Sequence, residues 1–310
     1  MPDLESANLL FLERMDSLES FSVPKLRSLG GATLGVPSHL DVLEMPVLEE
    51  SGSLTLTGNF TDVSFPALHT ITTGEVLVKN IRDFAPAAEA ETSMNISFPA
   101  LNSSKTMSIT GRASRVSLPE LTSLEWASII GTGSTFSVWG DAFELDMPKL
   151  VIVNENINFE GNITSLSLPS LKQVEGNLTV TAASNPLSIA LPELTDVEAI
   201  RLTGKIESVK LPSLKHWLGL HVDTDLEFDC NAFTKEWDTA TTSRRVITCV
   251  SRGRVEDDDR TDDNTEESGE DTVDDGQAED DNGSASVSRG GICAMLATSL
   301  AVTGWVQLFN

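Results

Sequence analysis

Six asparagines in this 310-residue sequence stand in the Asn-x-Ser/Thr pattern that accepts an N-linked glycan in the secretory pathway. Three of them follow a glycine in Gly-Asn-x-Thr segments, which are typical of accessible turns. The six acceptors are Asn59, Asn95, Asn102, Asn162, Asn177 and Asn282. One such motif is weak evidence, so their meaning depends on whether other parts of the chain carry export signals.

The C-terminal residues indicate a second modification, the attachment of a lipid. Small or polar residues at Asn282, Gly283 and Ser284 are followed by a polar spacer and a mostly apolar stretch over residues 292–309. This order matches a glycosylphosphatidylinositol (GPI) signal, whose tail, residues 285–310, is removed when the lipid is attached. A tail-anchored transmembrane helix is the alternative, but the stretch is interrupted by polar residues and no basic cluster follows it.

Three cysteines bear on the redox environment of the chain. Cys230 and Cys249 lie close together in sequence, whereas Cys293 belongs to the apolar tail and would leave with it. We predict a disulfide between Cys230 and Cys249 that closes a C-terminal cap over residues 230–250. A free or metal-binding pair is the alternative, although no suitably spaced histidine or further cysteine completes a metal site.

Catalytic motifs are missing from the sequence, which has no Gly-x-Ser-x-Gly elbow, phosphate loop, His-Glu-x-x-His or dinucleotide fingerprint. Cleavage of a polysaccharide on parallel coils would need two or three carboxylates on neighbouring coils. Asp62, Asp83 and Asp141 do not share a position in the repeat described below. We therefore expect no enzyme activity, cofactor or metal, with a polysaccharide-active enzyme as the alternative. The histidines also occupy unrelated positions: His39, His69, His216 and His221.

Exposed tryptophans are a further class of candidate, because aromatic rings stack on sugars. Trp126, Trp139 and Trp217 are the tryptophans to consider on a glycan-binding face. Packing in a core that is poor in aromatic residues is the competing role. Exposure of the rings decides between the two.

The charge of the chain is uneven. The formal net charge is −26, and residues 256–281 contain fifteen acidic residues and one arginine. A chain this acidic has no basic face for a phosphate backbone, so nucleic acid is excluded as a partner. Residues 251–284 are too polar and too highly charged to pack, and we predict a disordered stalk there.

The strongest signal is a tetrapeptide, apolar-Pro-x-Leu, that recurs roughly every twenty residues and uses ten of the thirteen prolines. Proline lacks the amide that strand pairing needs, so this position predicts a corner between strands. Alternating apolar residues between the corners predict short strands. The copies begin at Met1, Val23, Met45, Phe65, Phe98, Leu118, Met147, Leu168, Leu191 and Leu211.

A single copy cannot bury its own apolar face, whereas stacked copies bury a continuous strip. We therefore predict an all-β, right-handed parallel β-solenoid over residues 1–229. The two longest repeats should place their additional residues in loops around residues 81–93 and 131–141. The sequence begins inside a repeat without a signal peptide, so export implies further N-terminal sequence.

Together these features resemble one known family. Leu-Pro-x-Leu copies with Gly-Asn-Leu-Thr-Val segments, as in residues 168–171 followed by 176–180, accompany the cysteine pair and the anchor signal. This combination, over about residues 1–250 and the tail, resembles the fungal GPI-anchored cell-wall organisation family. Proteins of that family are similar to receptor L-domains and other leucine-rich solenoids.

The resemblance implies a non-catalytic, GPI-anchored glycoprotein on the outer face of the plasma membrane or in the cell wall. Such a protein would support wall organisation by scaffolding, or by binding a cell-wall polysaccharide or a surface protein. The resemblance supplies no catalytic residues. We expect the function to reside on the outer surface of the solenoid.

Overall fold

The structure, a computed structural model, describes residues 3–13, 18–40, 42–80, 93–124, 134–237 and 245–253. Within these ranges, side chains are described for all residues except 36–39, 42 and 134–141. The predicted acidic stalk beyond residue 253 and the whole predicted anchor signal lie outside the described residues.

The described chain is almost entirely β-structure, with one short helix. The elements are β1 Ser6–Ala7, β2 Leu10–Glu13, β3 Ser20–Ser22, β4 Ser28–Leu29, β5 Ala32–Leu40, β6 Val42–Glu44, β7 Glu50–Ser51, β8 Leu54–Phe60, β9 Asp62–Ser64, β10 Thr70–Ile71, β11 Glu75–Asn80, β12 Met94–Ser97, β13 Ser103–Ser104, β14 Thr106–Ser117, β15 Ser123–Leu124, β16 Ser134–Asp146, β17 Ile152–Val153, β18 Ile157–Ser167, β19 Gln173–Ala190, β20 Asp196–Lys210, β21 Gly219–Thr224, α1 Cys230–Trp237 and β22 Val246–Ser251.

Each apolar-Pro-x-Leu copy from Val23 onward forms a β-turn. The leucine amide donates a hydrogen bond to the carbonyl of the apolar residue three positions earlier, as from Leu121 to Leu118 at 3.2 Å. All nine of these turns have the same bond. Proline occupies the second position of the turn, where its fixed φ is favourable and no amide is required. The predicted corner is confirmed.

Between the turns, each coil pairs with its neighbours in parallel. The longest ladder, the second face, contains eleven strands: β2, β5, β8, β11, the first halves of β14, β16 and β18, the middle parts of β19 and β20, then β21 and β22. Equivalent residues stand beside each other, so side chains of one column are separated by the strand spacing of ~4.8 Å. The prediction of an all-β solenoid of stacked parallel coils is confirmed.

Two smaller ladders complete each coil. The first face contains the two-residue strands that follow each turn, from β1 to the beginnings of β19 and β20. The third face contains the strands that lead into the next turn, such as β9 and β12. Just after the turn leucines, Arg27 and Glu49 show how coils are joined, since the amide of Glu49 donates to the carbonyl of Arg27 at 2.8 Å.

The core is the strip enclosed by the three faces. The apolar residue and the leucine of every turn from Val23 to Leu214 are buried, most of them completely. Phe65 and Phe98, the first residues of two successive turns, stack with ring centroids 5.6 Å apart and an interplanar angle of 5°. The repeat in the sequence is therefore a column of side chains in the core.

The buried polar side chains of the described residues lie where the backbone changes direction, Ser51 and Ser104 between the first and second faces and Asn59, Asn80 and Thr224 between the second and third. Asn80, completely buried, accepts a hydrogen bond from the amide of Phe60 at 3.0 Å and donates one to the carbonyl of Arg112 at 2.8 Å. At the same corner Gly204 has a φ of 86°, and a Cβ there would lie 2.1 Å from the carbonyl oxygen of Ala182. Glycine is required at this position by both backbone conformation and space.

The C-terminal end departs from the predicted boundary at residue 229. Helix α1 begins behind Asp229, whose carboxylate accepts a hydrogen bond from the amide of Ala232 at 2.8 Å. Phe233 of the helix is buried in the end of the core. Strand β22 then adds an eleventh strand to the second face, so the ladder continues to Ser251. The predicted disulfide is present, with Cys230 and Cys249 Cα atoms 5.4 Å apart.

One of the two predicted loops is displaced. Residues 81–92 lie outside the described residues, as do 125–133. The loop predicted over 131–141 is wrong from Ser134 onward, because Ser134 to Val138 pair in register with Ile157 to Gly161 of β18. Glycines at 131 and 133 indicated a loop, but the alternating residues after them belong to the second face.

We expect the turn leucines to contribute more to stability than any exposed residue of the same turn. Leu121→Ala should lower the free energy of unfolding by about 2–5 kcal/mol, because it leaves a cavity in a completely buried column. Chemical denaturation followed by circular dichroism measures this loss.

Glu120→Ala in the same turn is the matched control. It removes only an exposed ion pair with Lys149, with Nζ and Oε2 2.7 Å apart, and should cost less than ~1 kcal/mol. Equal effects of the two substitutions would contradict a core organised by the turn leucines.

Candidate functional site

The outer side of the second face is lined by hydroxyl groups. Outward side chains alternate with buried ones along each strand, and neighbouring coils place them in two columns. Thr181 and Thr203 show the contact within one column between adjacent coils, with their Oγ1 atoms 3.0 Å apart. The half-buried hydroxyl residues on this side include Thr33, Thr55, Thr57, Ser108, Thr110, Thr179, Thr181 and Thr203.

Near the C-terminal end this face is indented by a groove of about 270 Å³, which we name the terminal groove. The groove is an indentation because two successive coils have small outward residues, Ala199 and Gly219, where a larger side chain would fill the surface. Asn177 and Val246 stand at its two ends, in the same column. The remaining outward residues along it are Thr179, Arg201, His221 and Thr248.

The groove has both polar and apolar walls. Arg201 is exposed and makes no side-chain hydrogen bond or ion pair with the described residues. The His221 ring is held by its Nδ1 atom, 3.0 Å from Thr248 Oγ1. Val246 is 62% exposed at the far end. This combination suits a ligand that has hydroxyl or amide groups on one side and C–H groups on another.

A wider, open depression of about 650 Å³ lies beside the terminal groove, across the first face. It is lined by polar side chains from four successive coils and by the exposed Leu218. The polar lining residues are Gln173, Glu175, Asp196, Glu198, His216 and Arg245. The two sites together indent the surface of the last coils on two adjacent faces.

Trp217 contributes to this depression from below. It is only 5% exposed, and the Trp237 ring meets it edge-on at 6.2 Å. The guanidinium carbon of Arg245 lies 4.8 Å from the ring centroid, and Arg245 also donates to the carbonyl of Lys215 at 2.9 Å. This burial favours the packing role of Trp217 over stacking on a sugar. Trp126 and the side chain of Trp139 lie outside the described structure.

The predicted glycan acceptors fall at different positions around the coil. Asn95 is exposed on the third face, Asn102 is exposed beside a turn, and Asn177 is exposed on the second face. Asn162 is half-buried, and its Oδ1 accepts a hydrogen bond from Asn185 at 2.5 Å. Asn59 differs from the expectation of an accessible turn, because it is only 6% exposed at the corner after Gly58.

The predicted lipid-attachment residues and two of the candidate acids cannot be placed. Asn282, Gly283, Ser284 and Asp83 lie outside the described residues, and so does the Asp141 side chain. Asp62 is exposed on the third face, opposite Asn95 in the next coil.

Titratable side chains are otherwise spread over the surface. Within the described ranges, no three histidine, cysteine, aspartate or glutamate side chains converge on a point that could hold a metal ion. His216 lies on the first face and His221 on the second. The one helix in this part of the chain has eight residues, and no described helix is long and apolar enough to cross a membrane.

Comparison with known proteins gives one informative likeness. A cell surface GPI-anchored protein of Arthroderma benhamiae is 26% identical to this chain in an alignment of 239 residues that covers 73% of this chain and 56% of that protein. The chain thus spans about half the length of this relative. No family model and no solved structure matches the sequence.

The packing role of Trp217 can be tested. Trp217→Ala should destabilise the last coils by about 3–5 kcal/mol, because it removes a large buried ring. We expect a lower denaturation midpoint and faster amide exchange in β21 and β22.

Leu218→Ala is the control, since Leu218 lies in the same depression but is 50% exposed. It should cost about 1 kcal/mol or less. A Trp217→Ala variant as stable as Leu218→Ala would instead indicate a ring that is available to a ligand.

Proposed function

We propose that this protein is a cell-surface glycoprotein, held to the membrane by a GPI lipid, that supports the organisation of a fungal cell wall. The carrying observation is the long second face, whose eleven parallel strands expose polar columns over an apolar core. The likeness to a cell surface GPI-anchored protein supports the location. The order of small residues, spacer and apolar tail supports the anchor.

The class of solenoid is part of this proposal. Short strands, one turn leucine for each coil and a period near twenty residues are features shared with receptor L-domains and leucine-rich repeats. Solenoids of stacked repeats offer extended faces on which ligands can bind. The disulfide between Cys230 and Cys249 fits an oxidising, extracellular environment.

The mode of action that we propose is binding, with a cell-wall polysaccharide or a surface protein as partner. A flat column of hydroxyls can exchange hydrogen bonds with a polymer at many points, each of them weak. Such repeated contacts favour scaffolding, because several weak sites on one rigid support act together. An acidic segment before the anchor would hold the solenoid away from the bilayer by self-repulsion.

The location is tested on intact cells. The complete gene should be expressed in a filamentous fungus, and the cells treated with phosphatidylinositol-specific phospholipase or with wall glucanase. We expect one of the two treatments to release the protein, because the lipid would tether it to the membrane or be exchanged for a wall polymer. A matched variant with residues 285–310 deleted should be secreted without treatment.

Two results would contradict the proposal. Retention of the protein in the cytosol without glycans would exclude the surface location. New reducing ends from wall glucan incubated with the purified solenoid, lost when a carboxylate pair is replaced, would show an enzyme instead of a binding protein.

A further inference from the structure

The terminal groove begins at a predicted glycan acceptor. Asn177 stands in Asn177-Leu178-Thr179, is exposed, and forms one end of the groove. Because Leu178 is buried, its two neighbours point outward, and Asn177 lies beside Ala199 in the next coil. The column then continues to Gly219 and Val246. With strands ~4.8 Å apart, the floor extends about 14 Å from Asn177.

The space on the two sides of Asn177 differs between the preceding coil and the following coils. Toward the preceding coil, the Asn156 side chain occupies the surface, and its Oδ1 accepts a hydrogen bond from the Asn177 amide at 2.8 Å. Toward the following coils, Ala199 and Gly219 leave the surface low. A glycan on Asn177 therefore has room to lie along the groove in one direction only.

We propose that the terminal groove holds the first sugars of the chain's own N-linked glycan, attached at Asn177. The inference rests on the proposed function, because glycan transfer requires export. The acetamide and hydroxyl groups of N-acetylglucosamine would meet Arg201 and His221 at the wall. Its methyl and ring C–H groups would cover Ala199 and the exposed Val246.

The other exposed acceptors offer no comparable seat. Neither Asn95 nor Asn102 lines the terminal groove or the wider depression beside it. In the next coil, Thr122 lies beside Asn102, and its amide and its hydroxyl both donate hydrogen bonds to the Asn102 carbonyl. A glycan on Asn102 is thus the natural comparison, because it would extend freely into solvent.

Cleavage by an endoglycosidase distinguishes a seated glycan from a free one. The complete gene is expressed in a yeast, and site occupancy is measured by peptide mass spectrometry. On the native protein, we expect the Asn177 glycan to be released about tenfold more slowly than the Asn102 glycan, which corresponds to ~1.4 kcal/mol of seating. After denaturation, the two glycans should be released at equal rates.

Two variants test the seat itself. Ala199→Phe fills the floor with an outward side chain and should raise the native release rate at Asn177 toward that at Asn102. Asn177→Gln removes the glycan and should speed amide exchange in β22 several-fold, whereas Asn102→Gln should leave it unchanged. Equal native release rates at the two sites would overturn the proposal. If, in addition, added glucan or chitin oligosaccharides slowed amide exchange in β22 of the Asn177→Gln variant, the groove would be a site for an external sugar instead.

The outcomes also separate this inference from the proposed function. A protein occupied at Asn102 but not at Asn177 would overturn the glycan seat and leave surface export intact. A protein without any N-linked glycan would count against the export on which both proposals depend.

Discussion

The register between coils is the constraint on which the rest of this structure depends. Side chains alternate in and out along a strand, so a slip of one residue would turn every core side chain of that coil toward solvent. The apolar-Pro-x-Leu turn prevents this slip because it fixes two buried residues and one hydrogen bond in each coil. Proline also lowers the conformational entropy that the turn has in the unfolded chain. Nine repetitions of one local solution therefore produce one continuous core.

The same constraint explains why three of the five buried polar side chains of the described residues lie at one corner of the coil. Each corner between the second and third faces breaks the strand pairing, and the freed backbone groups need partners. Asn80 supplies them from its side chain to the coils on both sides. At the end of β21, Thr224 takes a similar role, since its hydroxyl accepts a hydrogen bond from the amide of Ile206 and donates one to the carbonyl of the same residue. At other corners a glycine such as Gly204 lets the backbones of two coils lie close together, because it has no Cβ to meet the carbonyl oxygen of Ala182.

Much of this fold could be predicted from the sequence, since a period with proline at a fixed place encodes both the corner and the stacking. The disulfide between Cys230 and Cys249 could be predicted as well. Three features were not. The strand beginning at Ser134 was hidden by the glycines before it, and β22 was hidden because its coil contains a helix in place of the usual turn. The burial of Asn59 depends on how neighbouring coils pack around its corner, which the local sequence does not indicate.

The candidate site was also beyond prediction, for a physical reason. A groove on a solenoid is made by what neighbouring coils lack, here side chains larger than those of Ala199 and Gly219. Such an absence has meaning only once the register is known. The exposed large apolar residues of the described chain follow the same logic, since they all lie at the ends of the stack: Leu9, Phe11, Leu218, Val246 and Val250.

Interior coils are covered on both sides by equivalents of themselves, so their outward residues can be uniformly polar. A terminal coil has a neighbour on one side only, and its apolar surface must be covered by something other than another repeat. At the C-terminal end the helix covers the core, with Phe233 inserted beneath it, but it leaves the outer side of β22 open. The location of the terminal groove follows from this incomplete cover. A glycan that starts at Asn177, three coils before β22, and lies along the groove is well placed to complete this cover, because sugars combine an apolar surface with hydroxyls like those that the rest of the face displays.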